Sequence, residues 1–130
     1  MARQPTRIKA VPLAGAEELD HIRELFAAFG PVLIRRMFGG AGIYADATMF
    51  ALVADGIIFL KADARTIPAF EREGLGPFTY TGKSGKGVAM SYWRMPDRLY
   101  DDPDELARWA NEAVAAARRA AIGGPRRRSK

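Results

Sequence analysis

The dipeptide Asp55-Gly56 stands between two apolar runs, "TMFALVA" (48–54) and "IIFLKA" (57–62). A two-residue hairpin loop needs positive φ at both central positions, and Asp-Gly supplies it at low cost. The two runs are therefore expected to pair antiparallel. Two more runs rich in β-branched and aromatic residues precede them, "VLIRRMF" (32–38) and "GIYA" (42–45), with Gly39-Gly40 between the two and Asp46-Ala47 after the second. "PFTYT" (77–81) and "VAMSYWRM" (88–95) follow with the same character.

Helices are expected at both ends. Leu19, Ile22, Phe26 and Phe29 share one helical stripe between Ala16 and Phe29, with Leu25 at its edge. Glu17, Glu18 and Asp20 fill the first turn, where the helix dipole favours acids, and Gly30-Pro31 stops the helix. "DARTIPAFEREG" (63–74) reads as a short helix capped by Asp63 or Thr66 and ended by Gly74. The last helix opens on Asp102 as N-cap, Pro103 and Glu105, a capping-box arrangement. It buries Leu106, Trp109, Ala110, Ala113 and Ala117, and Gly123-Gly124-Pro125 is expected to end it. The expected fold is α+β: an antiparallel sheet of about five to six strands with a helix at each end and one short central helix. Residues 1–13 are expected to be a flexible lead-in, 14–123 the domain and 124–130 a basic disordered tail.

A chain of 130 residues fits one domain. No apolar run approaches the roughly 18 residues of a membrane span, and "MARQPTRIKAVPLAGAEE" lacks the apolar centre of a signal peptide. There is no cysteine, which removes disulfides, thiolate metal sites and Cys nucleophiles and fits a cytoplasmic protein. The net charge is +5, but Arg126, Arg127, Arg128 and Lys130 at one end and Arg3, Arg7 and Lys9 at the other supply seven cations and no acid. Residues 10–124 are left at −2. Within Pro31–Arg98, however, nine basic residues face six acidic ones, so the sheet is expected to be the basic side of the molecule.

Two glycine patterns imitate nucleotide-binding loops. Gly82-Lys83-Ser84 resembles the end of a phosphate loop, G-x-x-x-x-G-K-[ST]. The first glycine would have to stand at position 77, which is Pro and has no amide to donate, and a strand pattern rather than a helix follows. A hairpin tip carrying Lys83 and Lys86 is the expected outcome. Gly40, Gly42 and Ala45 match G-x-G-x-x-A, with Asp63 about twenty residues on, the outline of a dinucleotide fingerprint. That outline demands a helix where Ile43, Tyr44, Thr48 and Val53 stand, so a tight turn between strands is expected instead.

His21 is the only histidine and reads as a surface residue beside the first helix stripe. Asp101, Asp102, Asp104 and Glu105 are accounted for by capping and dipole interactions. Ser91 lies mid-strand, without the turn of a nucleophile elbow. No catalytic, metal or cofactor site is expected. Adjacent Arg35 and Arg36 must point to opposite faces of a strand. Along 88–95, Val88, Met90, Tyr92 and Arg94 share one face and Ala89, Ser91, Trp93 and Met95 the other, so the strand is either covered twice or offers one aromatic face to a partner.

"RRMFGGAGIY" (35–44), "MFALVADGIIFLK" (49–61), "PFTYTGKSGKGVAMSYWRMP" (77–96) and "DDPDELARWANEAVAAA" (101–117) resemble the N-terminal domain of the TfoX/Sxy family. The resemblance runs from about Phe29 to Ala117. It implies an α+β domain with an antiparallel sheet and no catalytic residues. It also implies relatives that regulate natural-competence genes in bacteria together with the cyclic-AMP receptor protein. The competence regulators carry a further C-terminal domain, and this chain is read as a single-domain member.

The expected function is a non-enzymatic interaction module, acting in transcription regulation through a protein partner such as a transcription factor, as a monomer or homodimer and away from membranes. Arg35, Arg36, Lys83, Lys86 and Arg94 are the candidate binding face. An alternative is nonspecific DNA binding through Arg126, Arg127, Arg128 and Lys130. A weaker alternative is a small-ligand protein or enzyme using the glycine loops.

Overall fold

A computed structural model describes residues 16–37, 40–81 and 87–129. Three helices and six strands follow one another as α1 (Ala16–Leu25), β1 (Leu33–Met37), β2 (Gly40–Ala45), β3 (Thr48–Ala54), β4 (Ile57–Lys61), α2 (Ile67–Arg72), β5 (Pro77–Thr81), β6 (Gly87–Arg94) and α3 (Pro103–Ser129), with a 3-10 turn at Asp97–Asp101 before α3. This is the expected α+β fold.

The strands form one sheet in the order β1-β2-β3-β4-β6-β5, and every neighbouring pair is antiparallel. β1 to β4 are a meander. After β4 the chain crosses over through α2 to the far edge, runs out as β5 and returns as β6 beside β4. Asp55 and Gly56 take φ of 53° and 75°, as the hairpin reading requires. Between Ile43 and Tyr44 the β2–β3 register shifts and leaves Phe50 unpaired, a bulge that frees this ring for the core.

Direct register partners share a face. Ile34, Ile43, Ala51, Leu60 and Trp93 form one row across five strands, and Arg36, Ala41, Val53 and Ile58 the row two residues along. Ile43, Ala51 and Ile58 are fully buried there, and all three helices pack on this side. α1 contributes Ile22 and Phe26, both without exposed surface, and Phe26 and Phe29 close on Phe50 with ring centroids at 5.6 and 5.1 Å. Phe70 of α2 sits between Trp93 at 6.0 Å and Trp109 of α3 at 5.0 Å. α3 lies over β3 and β4 and buries Leu106, Ala110, Ala113, Val114, Ala116 and Ala117. Trp109 packs at the margin of this stripe rather than inside it.

Three local expectations need correction. The first helix stops at Leu25, not Phe29. Its last turn tightens into i→i+3 bonds, Ala27 N–H to Glu24 O and Phe29 N–H to Phe26 O, before Gly30 turns away at φ 140°. α2 begins at Ile67, and Thr66 makes no side-chain cap. Asp63 and Thr66 bond each other instead: the Asp63 amide donates to Thr66 Oγ1 at 3.0 Å and the Thr66 amide to Asp63 O at 2.9 Å. The last helix does not end at Gly123-Gly124-Pro125; its backbone runs on to Ser129.

Candidate functional site

The other face of the sheet carries no helix among the described residues. Arg35, Gly42, Leu52, Phe59 and Arg94 form its central row, each the direct register partner of the next. The row begins and ends in an arginine, four strand spacings apart, or about 19 Å. The adjacent row on this face holds Leu33, Tyr44 and Met49 on one side and Lys61 paired with Tyr92 on the other. Phe78 of β5 reaches Phe59 with ring centroids 5.0 Å apart.

This face is apolar between its cations. Leu52 is only 9% exposed yet stands apart from the core cluster, because its own neighbours cover it. Gly42 makes room for that cover: a Cβ there would meet Met49 Sδ at 3.0 Å and Tyr44 Cε1 at 3.2 Å. Tyr44, Met49, Phe59, Phe78 and Tyr92 remain part-exposed. Each cation lies against an aromatic ring or beside one in register. The Arg35 guanidinium is 6.0 Å from the Tyr44 ring, Lys61 Nζ is 5.1 Å from the Tyr92 ring, and Arg94 is opposite Phe59.

Carboxylates are kept off the strands. The six strands contain Arg35, Arg36, Lys61 and Arg94 and no acid. The carboxylates stand on the helices, in the turns and in the connections, where many are engaged. Asp63 accepts from Arg119 Nε at 2.7 Å and Nη2 at 3.1 Å, and that bond, with the Arg65 and Thr66 contacts, holds its carboxyl below the usual range. Glu105 accepts from Trp109 Nε1 at 3.0 Å and pairs with Arg108, and both lower its pKa. Asp102 caps α3 by accepting the Glu105 amide at 3.2 Å, but Glu105 is spent on Trp109 and does not return the bond. On the strand face, burial lowers the Lys61 pKa against the opposing pull of Asp63. Burial, then the nearby Tyr44, raises that of Tyr92.

The expected binding face is only partly assembled. Arg35 and Arg94 share the helix-free face, Arg94 with an exposed ion pair to Asp97 at 3.6 Å. Arg36 belongs to the opposite face, at the rim of the helix side. Lys83 and Lys86 lie outside the described residues, as does Lys130. Arg126, Arg127 and Arg128 are on the last turns of α3. Charge and strand alternation marked the arginines. Tyr44, Phe59, Lys61 and Phe78 were missed because they join Arg35 and Arg94 only through the register, although the absence of any acid from the strand runs was a visible signal.

The nucleotide-loop readings fail on context. Gly82-Lys83-Ser84 lies outside the described residues, but its flanks pair antiparallel, Thr81 with Gly87, so a strand and not a helix follows it. Gly40–Ala45 is a strand, and Asp63 is taken by Arg119. A groove between α2 and α3, lined in part by Lys61, Arg65, Phe70, Glu105 and Trp109, has its Glu105 carboxylate already bonded. Among the described residues no three His, Asp or Glu side chains gather closely enough for a metal ion, and no helix is long and apolar enough to cross a membrane.

The model of the TfoX N-terminal domain matches residues 24–117 of this chain. Protein Sxy of Escherichia coli (strain K12) is 28% identical over 95 residues, covering 73% of this chain and 45% of Sxy. DNA transformation protein TfoX1 of Aliivibrio fischeri is 28% identical over 105 residues, covering 78% of this chain and 50% of TfoX1. The chain spans about half the length of the curated relatives it matches.

Proposed function

The chain belongs to the TfoX N-terminal domain family, and from that premise we propose that it is a non-enzymatic binding module in gene regulation, acting in the cytoplasm. Its partner meets the helix-free face of the sheet. The observation that carries this reading is the division of the molecule: one sheet face is sealed by three helices, while the other leaves aromatic rings part-exposed beside Arg35, Arg94 and Lys61, whose Nζ donates to Ser91 Oγ, with no acid in any strand. A sheet face of this composition, part-exposed rather than polar, is what a binding surface looks like. The regulatory part of the reading is supported by the likeness to Sxy and to the DNA transformation protein TfoX1.

The test is made in the source organism. The gene is deleted, transcripts are counted, and the deletion is complemented with the wild-type chain or with an Arg35→Glu/Arg94→Glu variant. A restricted set of transcripts should change, return with the wild type and fail to return with the variant at equal protein level. A transcript profile untouched by deletion would overturn the regulatory reading.

A further inference from the structure

We propose that the helix-free face is a platform for single-stranded DNA, with bases stacked on Phe59, Tyr92 and Tyr44 and phosphates held by Arg35, Lys61 and Arg94; the inference rests on the binding-module reading above.

Three features point to this occupant. First, aromatic rings on an open antiparallel sheet offer π-faces to bases that are free of a duplex, the geometry by which sheet platforms hold two or three bases. Second, the cations are interleaved with the rings rather than grouped: Arg35 with Tyr44, Lys61 with Tyr92, Arg94 beside Phe59. Their span of about 19 Å suits a strand running across the sheet. Arg94 can exchange its exposed Asp97 pair for a phosphate at little cost, since such pairs contribute little, and Lys61 exchanges its exposed bond to Ser91 Oγ in the same way. Third, the two rows hold no Asn, Gln, Asp or Glu, the side chains that read adenine and cytosine edges, so stacking rather than edge readout dominates. Between the cations lie Gly42, Leu52, Met49 and Phe59, which leave a ribose 2′-hydroxyl without a partner and so favour deoxyribose. Other occupants fit less well. A second copy would set Arg35, Lys61 and Arg94 against the same three cations, and residues 1–15 carry Arg3, Arg7 and Lys9 with no acid.

Fluorescence anisotropy of labelled oligo-dT against the full chain, over a series of salt concentrations, tests the inference. Oligo-dT should bind, a duplex of equal length more weakly, and oligo-U more weakly than oligo-dT. Phe59→Leu and Tyr92→Leu keep apolar bulk but remove the π-face; each should weaken binding by roughly 5- to 150-fold. Arg35→Gln and Arg94→Gln should each reduce the salt slope by about 0.7. Three results would overturn the inference: no binding at low salt; binding unchanged by all four face variants and abolished by joint replacement of Arg126, Arg127, Arg128 and Lys130 with Ala; or duplex and oligo-U bound as tightly as oligo-dT. Absent oligo-dT binding together with failed complementation by Arg35→Glu/Arg94→Glu would move the partner to a protein, and the regulatory reading would outlive this one.

Discussion

Phe50→Ala tests the two-sided design of the sheet at its most sensitive point. Phe50 has no exposed surface, occupies the β3 bulge and is the anchor on which Phe26 and Phe29 close at 5.6 and 5.1 Å. Truncating a fully buried phenylalanine costs about 3–5 kcal/mol, transfer and cavity terms together. Neither Phe26 nor Phe29 can follow the missing ring without pulling α1 off the sheet, so the upper half of that range is expected. A domain of this size loses roughly 3–5 °C of Tm per kcal/mol, which gives a fall of about 12–25 °C. Phe59→Ala is the matched control. It deletes the same atoms one strand away, but from the part-exposed ring of the other face, and should cost less than half as much. Urea and thermal unfolding followed by circular dichroism read both. Equal losses, or a Phe50→Ala loss below about 1 kcal/mol, would refute the assignment of the core to one face.

Other outcomes follow from single contacts. A Cβ at Gly40 would fall on the Val53 carbonyl oxygen, which is backbone and cannot swing aside, so Gly40→Ala should cost about 1–3 kcal/mol in urea titration. Asp63 is held below its ordinary pKa by Arg119, so its contribution is complete above about pH 4 and is lost as pH falls through the folded value. Asp63→Asn should flatten the acid limb of a stability–pH curve and leave the neutral region less stable. Burial pushes the Tyr100 phenol up to about 12, so the fold favours its neutral form. Stability is then full below about pH 10 and declines above it, by about 2–3 kcal/mol near pH 12. Tyr100→Phe should remove that decline in alkaline unfolding curves while giving up only a weak bond from the Ile58 amide at 3.4 Å.

The strands were legible because their punctuation is chemical. Asp55-Gly56 needs the positive φ that both residues adopt, and glycines flank the first runs. The stripe of α3 was equally clear, since Leu106, Ala110, Ala113 and Ala117 repeat at helical spacing. Helix ends were less so. Whether Phe26–Phe29 continues as helix depends on how tightly Phe29 must reach Phe50, a tertiary demand. Asp63 looked like a cap because sequence shows neighbours and not Arg119, fifty-six residues away. The site divides in the same way. Alternation alone set Tyr92 and Arg94 on one face and split Arg35 from Arg36. That Arg35 and Arg94 end one row, with Gly42, Leu52 and Phe59 between them, is a property of register across four strand pairs, and a single bulge at Phe50 is enough to hide it.

The most direct test of the helix-free face as the binding surface is an amide chemical-shift map of the 15N-labelled chain titrated with oligo-dT. The account predicts that Arg35, Gly42, Leu52, Phe59 and Arg94 move together, with Tyr44 and Tyr92, while Ala110 and Ala113 under the helix layer stay still. Shifts confined to the α2–α3 groove around Trp109, or to Arg126–Arg128, with the central row silent, would contradict it.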